Sequence, residues 1–361
     1  MSKTASTRDA VTLACWPPGP DDRLARSSIS ASGIATSRVI LSGSSIAMSQ
    51  PTVPAVSPRS SRRESGHTAR SSLARSRRAV ACDTSAMRVA VVGHVEWIEF
   101  ARVPEVPSPG AIVHASETWE EPGGGGAVAA VQLAKLADGA LFLTALGDDD
   151  LGRRVDASLG WLGLRVEVSW RPVAQRRGFV HVDACGERTI TVIGDRLGPY
   201  GDEPLPWDEL ADAHAVYFTA GDAEAARRAR AARVMTATSR TLGSLAQSGV
   251  RLDALIASAA DAGEHYEPGD LDPEPGLVVR TAGSAGGTWE RANGERGEWA
   301  ATALPGPVAD AYGCGDSFAA GLTYALGTGM PPQQAVELAA RCGAACLTGR
   351  GPYAGQLTAP P

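Results

Sequence analysis

Residues 310–321, Asp-Ala-Tyr-Gly-Cys-Gly-Asp-Ser-Phe-Ala-Ala-Gly, gather residue types suited to moving a phosphoryl group. Gly313 and Gly315 let backbone N–H groups converge where a helix beginning near Asp316 leaves its first donors unpaired, and that convergence makes an anion pocket. A carboxylate at the mouth of such a pocket would stand beside an attacking oxygen and could accept its proton. Asp316 has that place, with Cys314 between the glycines. A plain helix N-cap is the competing role for the same aspartate.

A second chemical stretch is the glycine run 123–126, which continues as Ala-Val-Ala-Ala-Val-Gln-Leu-Ala-Lys-Leu. Glycines ahead of a helix let a ligand approach the backbone and leave N-terminal donors free, which suits a polyhydroxylated substrate. A flexible loop before a surface helix is the other reading. Thr-Ala-Gly-Ser-Ala-Gly at 281–286 could admit phosphates to its backbone, though a glycine turn alone says little. In Gly-Asp-Asp-Asp-Leu-Gly at 147–152, Asp149 reads as a turn and cap residue. His94, His114, His181 and His214 are scattered, which favours core or surface roles over ligation.

These motifs need elements to hold them. Residues 87–93 (MRVAVVG) form a short β-branched run ending in glycine, the pattern of a buried first strand in a parallel sheet. Helical spacing follows at 127–137, a strand at 141–146 and a helix at 151–162, the alternation of β-α-β units. Three extended runs without helices between them, 166–170, 178–183 and 188–193, predict an antiparallel excursion able to cover a site. Alternation resumes from 215 to 281, and two Ala-rich helices close the chain at 317–326 and 332–347.

The 361 residues allow a deep core and a cleft. A net charge of -6 argues against a nucleic-acid partner, and no apolar run is long enough for a membrane helix. The six cysteines form no CxxC pair, so neither a zinc site nor a disulfide scaffold is indicated, and a reducing cytoplasm is the expected location. Residues 1–86 are rich in Ser, Arg, Thr, Ala and Pro without apolar periodicity. They read as a disordered extension, or as sequence ahead of a true start at Met87; a transit peptide fits less well, because Asp9, Asp21, Asp22 and Glu64 interrupt it.

The stretch 310–318 resembles the D-T-x-G-A-G-D-x-F signature of the ribokinase/PfkB carbohydrate-kinase family, matching at Asp310, Gly313, Gly315, Asp316 and Phe318. The glycine run resembles the family's G-G-x-x-x-N segment, with Val128 in the place of Asn. Residues 147–152 and 281–286, with Pro109-Gly110, resemble further family motifs in the expected order. The resemblance implies a doubly wound, mostly parallel sheet with helices on both faces over 87–355, and a small β-lid from segments near 97–120 and 166–193. It implies transfer of the γ-phosphate of MgATP to a primary hydroxyl of a sugar, or of a nucleoside. Asp316 would be the base, and the backbone of Gly313, Cys314 and Gly315 the anion hole.

By the same resemblance Gly124, Gly125 and Val128 lie on the substrate side. An acid near the first strand should grip substrate hydroxyls; Glu96 and Glu99 are available, and Glu99 is taken. Ser258, Thr281, Gly283, Gly286 and Cys342 fall to the nucleotide. Ser258-Ala-Ala-Asp261 stands where the family has N-x-x-E, so Asp261 would reach Mg2+ through water, and Asp310 would lie near a K+ site. A lid strand could pair with a second copy to form a homodimer. One rival keeps the fold as a non-catalytic ligand binder. Another, a dinucleotide oxidoreductase, lacks G-x-G-x-x-G after the first strand.

Overall fold

The computed structural model describes residues 87–358, so the expected disorder of 1–86 lies outside the described residues. The chain runs through β1 (Val89–Val92), β2 (Glu96–Arg102), β3 (Glu117–Gly123), α1 (Gly125–Ala137), β4 (Ala140–Gly147), α2 (Asp150–Trp161), β5 (Leu164–Arg171), β6 (Arg177–Val182) and β7 (Arg188–Ile193). It continues with β8 (Ala215–Phe218), α3 (Ala223–Ala229), β9 (Val234–Thr238), α4 (Leu242–Ser248), β10 (Ala254–Ser258), β11 (Leu277–Thr281), β12 (Gly287–Arg291), β13 (Arg296–Trp299), α5 (Cys314–Gly327) and α6 (Pro332–Cys346).

Nine strands form one sheet in the order β13-β12-β11-β10-β9-β8-β1-β4-β5. It is parallel from β5 to β11, and β12 and β13 add an antiparallel edge. Burial on both faces explains the apolar central strands. Along β1, Val89 and Val91 enter the core beneath α1, α5 and α6, whereas Ala90 and Val92 enter the opposite core with Phe218, Leu210 and Leu245. Small residues let α1 and α5 lie close on the first face; nearly every residue of α1 is buried.

Strand order reverses between β1 and β8: from β1 the sheet proceeds to β4 and β5 on one side, and from β8 to β9, β10 and β11 on the other. The carboxyl ends at such a reversal leave a crevice, the usual ligand position in open α/β sheets. Here the Thr219 N–H donates to the Val92 carbonyl at 2.8 Å, closing the sheet just below that crevice.

The lid is a separate four-stranded sheet, β3-β2-β6-β7. Its centre is a parallel β2–β6 pair flanked by antiparallel neighbours, so the excursion is mixed rather than antiparallel throughout. Residues 164–171 do not join it, because β5 runs parallel to β4 over eight residue pairs and forms the edge of the main sheet. Among the described residues, no helix is long and apolar enough to cross a membrane.

Candidate active site

Helix α5 begins one turn ahead of its expected start. Gly313, at φ 82°, is its N-cap, and the first intrahelical bond runs from the Ser317 N–H to the Gly313 carbonyl at 2.9 Å. The N–H groups of Cys314, Gly315 and Asp316 therefore precede the ladder and open toward the crevice. Asp316 occupies the third helical position, so it is not the N-cap. Gly315 is exposed, with no atom within 4 Å of where a Cβ would stand.

The glycine run supplies the facing wall, and it is packed rather than flexible. Gly124 (φ 82°) caps α1, and its N–H donates to the Tyr312 hydroxyl at 2.9 Å, tying the two glycine motifs together. A Cβ at Gly126 would fall 2.5 Å from the His94 carbonyl oxygen, and one at Gly125 would fall 2.8 Å from Asp316 Oδ1. The base candidate thus lies directly against the N-terminus of α1. Burial pushes the Asp316 carboxyl up to about 7; Glu264 and Glu96 add to the rise, while Arg188 and Arg240 oppose it.

Glu96 rather than Glu99 faces this basin. The three-residue spacing puts them on opposite faces of β2. Glu96 is buried beside Gly124, with Oε1 accepting from Arg176 Nε at 2.6 Å. Glu99 points away, half-exposed, 3.8 Å from Arg177. His94 Nδ1 lies 3.2 Å from Thr219 Oγ1, and its Nε2 is 3.8 Å from Glu96. Burial, reinforced by Arg196, Arg176 and Arg240, holds its imidazole well below the usual range, so at pH 7 the ring is neutral and its contact with Glu96 is not an ion pair. Val128 is buried under the anion-hole turn, with Cγ1 3.0 Å from where a Gly313 Cβ would be.

On the other side, Ser258 and Thr281 are register partners at the ends of β10 and β11, and the Ala259 N–H donates to the Thr281 carbonyl at 2.9 Å. Gly283 and Gly286 form the tight turn that follows, with Gly283 open to solvent. Asp261 is already engaged: its Oδ1 accepts from the Gly263 N–H at 2.8 Å and Oδ2 pairs with Arg240, whose Nε also meets Glu264 at 2.7 Å. Cys342 is closed off from any nucleotide, fully buried with its sulfur against Gly321 in the α5–α6 contact. Asp310 is wholly buried and accepts from the N–H groups of Tyr312 at 2.8 Å and Gly351 at 3.0 Å. Among the described residues, no group of three or more His, Cys, Asp or Glu side chains could hold a metal by itself.

The residues that sequence reasoning missed are charged side chains from remote segments. Arg176 precedes a lid strand, Arg196 follows one, and Arg240 lies after β9. None sits in a motif, and only the fold brings them to the basin.

Residues 86–267 and 272–359 match the model of the pfkB family of carbohydrate kinases. A comparison with curated proteins gave no match. Among solved structures, the chain is similar to ribokinase from Thermotoga maritima, at TM-score 0.60 and 20% identity over 75% of this chain and 97% of that one. It is similar to Arabidopsis thaliana ribokinase complexed with ribose and ATP, at 0.57 and 18% over 75% and 96%. Adenosine kinase from Sinorhizobium meliloti aligns at 0.59 and 20% over 76% and 97%. At these identities the likeness speaks for the fold.

Proposed function

Because the chain belongs to the pfkB family of carbohydrate kinases, we propose that it transfers the γ-phosphate of MgATP to a primary hydroxyl of a sugar, with Asp316 as the base. The observation that carries this reading is the meeting of Asp316 Oδ1 with the N-terminus of α1, directly beside the open N-terminus of α5. An acceptor lying along Gly124 and Gly125, with Glu96 within reach of its hydroxyls, would present an oxygen to Asp316.

The γ-phosphoryl group would rest on the N–H groups of Cys314, Gly315 and Asp316, where helix-end donors stabilise its charge. As the acceptor oxygen bonds to phosphorus, its proton passes to the Asp316 carboxylate; the bond to the bridging oxygen breaks and ADP leaves. Ser258, Thr281, Gly283 and Gly286 line the nucleotide side. Asp261 and Glu264, the two carboxylates that fix Arg240, would hold through water the Mg2+ that comes with the nucleotide, and the ion would supply neutralisation of the phosphate charge. Both Asp310 oxygens already accept N–H bonds, from Tyr312 and Gly351, which supports a structural staple between the turn before α5 and the residues after α6.

The test is ADP release from MgATP across a panel of sugars and nucleosides, comparing the parent protein with Asp316→Asn. Acceptor-dependent release should fall by about two to four orders of magnitude in the variant, the scale of losing a general base, while nucleotide binding persists. Undiminished turnover would remove Asp316 from the mechanism. Nucleotide binding with no turnover of any acceptor would favour the non-catalytic rival.

A further inference from the structure

Two cysteines meet behind the anion-hole turn. Cys314 is the first residue of α5 and Cys346 the last of α6, and their side chains hydrogen-bond each other. Cys346 Sγ also donates to the Tyr312 carbonyl at 3.6 Å and to the Pro352 carbonyl at 3.5 Å, while Cys314 Sγ lies 4.0 Å from the Asp310 carbonyl oxygen. The helices close on this point: a Cβ at Gly343 would fall 3.2 Å from the Cys314 carbonyl oxygen. Both thiols therefore grip one turn, residues 310–314, and that turn leads into the N–H groups proposed to receive the γ-phosphoryl group.

The two sulfurs differ in exposure. Cys346 is fully buried, whereas Cys314 is partly exposed and adjoins Gly315, which is open to solvent. A small oxidant entering at the open N-terminus of α5 would meet Cys314 first, with a second thiol already in contact to resolve it. An accessible sulfur beside a resolving partner is the arrangement that ends in a disulfide rather than in deeper oxidation. Cys342, one turn earlier on α6, turns its sulfur to Gly321 instead.

We propose that Cys314 and Cys346 form a reversible disulfide under peroxide, and that this bond shuts off the anion hole. The Cys314 thiolate attacks one oxygen of hydrogen peroxide, the O–O bond breaks, and hydroxide leaves to be protonated to water. Cys346 then attacks the Cys314 sulfenic sulfur, the S–O bond breaks, and the hydroxyl departs with the Cys346 proton as a second water. The sulfurs lose two electrons and the peroxide gains them; a dithiol reverses the oxidation by exchange. Bonding shortens the sulfur separation to about 2.05 Å, so the first residue of α5 must move toward α6, and the Tyr312 and Pro352 carbonyls lose the thiol they share. A displacement of about 1 Å among reacting groups can cost about 100-fold. The cross-link is independent of any activity, whereas its effect on phosphate binding rests on the kinase reading.

The experiment treats the reduced full chain with hydrogen peroxide, blocks the remaining thiols with iodoacetamide and maps cross-links by tandem mass spectrometry. Calorimetry with Mg2+ and a non-hydrolysable ATP analogue follows the pocket in parallel. Cys314 should be found joined to Cys346, with affinity for the analogue lowered about tenfold or more and restored by dithiothreitol to within about twofold. Cys342→Ser should still form the cross-link. Cys346→Ser should form none and should keep its own affinity through the peroxide treatment. Should that buried substitution unfold the chain, the parent's map and its reversal by dithiothreitol still decide. No bond between these two cysteines, a bond that leaves affinity unchanged, or a loss of affinity that persists in Cys346→Ser would overturn the proposal. A reduced parent that binds no analogue would sink the kinase reading and with it the effect on the pocket, whereas a missing cross-link in a parent that binds the analogue defeats this proposal alone.

Discussion

Asp316 combines two properties that a general base needs: a position against the acceptor wall and a proton affinity near working pH. Burial supplies the second by pushing its carboxyl up to about 7. The free-enzyme profile of kcat/KM should therefore climb about tenfold per pH unit below 7 and level off above it. Glu121 is also pushed up to about 7 by burial, but it lies beside Trp119 and Gly351, away from the basin. Glu121→Gln should leave the midpoint of the profile in place, and a midpoint that moves with Glu121 would reassign the titration. The same shift gives stability a definite sign. The folded state keeps the Asp316 proton to about 7, whereas the unfolded chain releases it at the ordinary aspartate value near 3.8, so stability drains away as pH rises between those values and not above them. Asp316→Asn should remove that decline, and melting curves at pH 5 and pH 8 would lie closer together than in the parent.

The base is useful only because α1 and α5 bring their N-termini together, and the glycines of α1 set how closely. Gly125→Ala would place a methyl 2.8 Å from Asp316 Oδ1. Because an error of about 1 Å at the reacting groups can cost about 100-fold, turnover should fall roughly 10- to 100-fold with the melting temperature nearly unchanged. Unaltered kinetics would show that Asp316 does not act from this wall. Much of this was legible in the sequence: glycine runs, β-branched strands and Ala-rich helices are local signals, and they placed both helices to within a turn of their N-termini. Pairings were less legible. The two glutamates of β2 share a strand, and only its register against β3 and β6 decides which one faces inward. Likewise β5 carries no mark of preferring β4 to the lid. The β12–β13 hairpin went unread, although Asn293-Gly294 between two extended runs is a strong hairpin signal.

At the scale of the molecule, the residues after α6 strap together parts that are distant in sequence. The Gly351 N–H donates to Asp310 Oδ2 at 3.0 Å, and Lys135 Nζ donates to the Tyr353 carbonyl at 2.6 Å. The Tyr353 hydroxyl donates to the Pro122 carbonyl at 2.7 Å, and Gln356 Nε2 donates to both the Val128 carbonyl at 3.0 Å and Ser317 Oγ at 3.2 Å. The strap thus joins β3 and α1, which form the acceptor wall, to the turn and helix that form the anion hole. It does so from behind and touches none of the proposed reacting groups. Tyr353→Phe orphans the Pro122 carbonyl, and Gln356→Ala removes the one donor that ties the Val128 carbonyl, which keeps its place in the α1 ladder, to Ser317 Oγ. Each should lower stability by about 1–3 kcal/mol, or roughly 2–10 °C in melting temperature for a domain of this size. Turnover by the folded fraction should stay within a few-fold of the parent, because the reacting groups keep their neighbours. Thermal melts paired with kinetics below the transition would separate the two effects. Parent-like melting in both variants would mean that the strap does not hold the halves together, and the alignment of α1 with α5 would then rest on their direct packing alone.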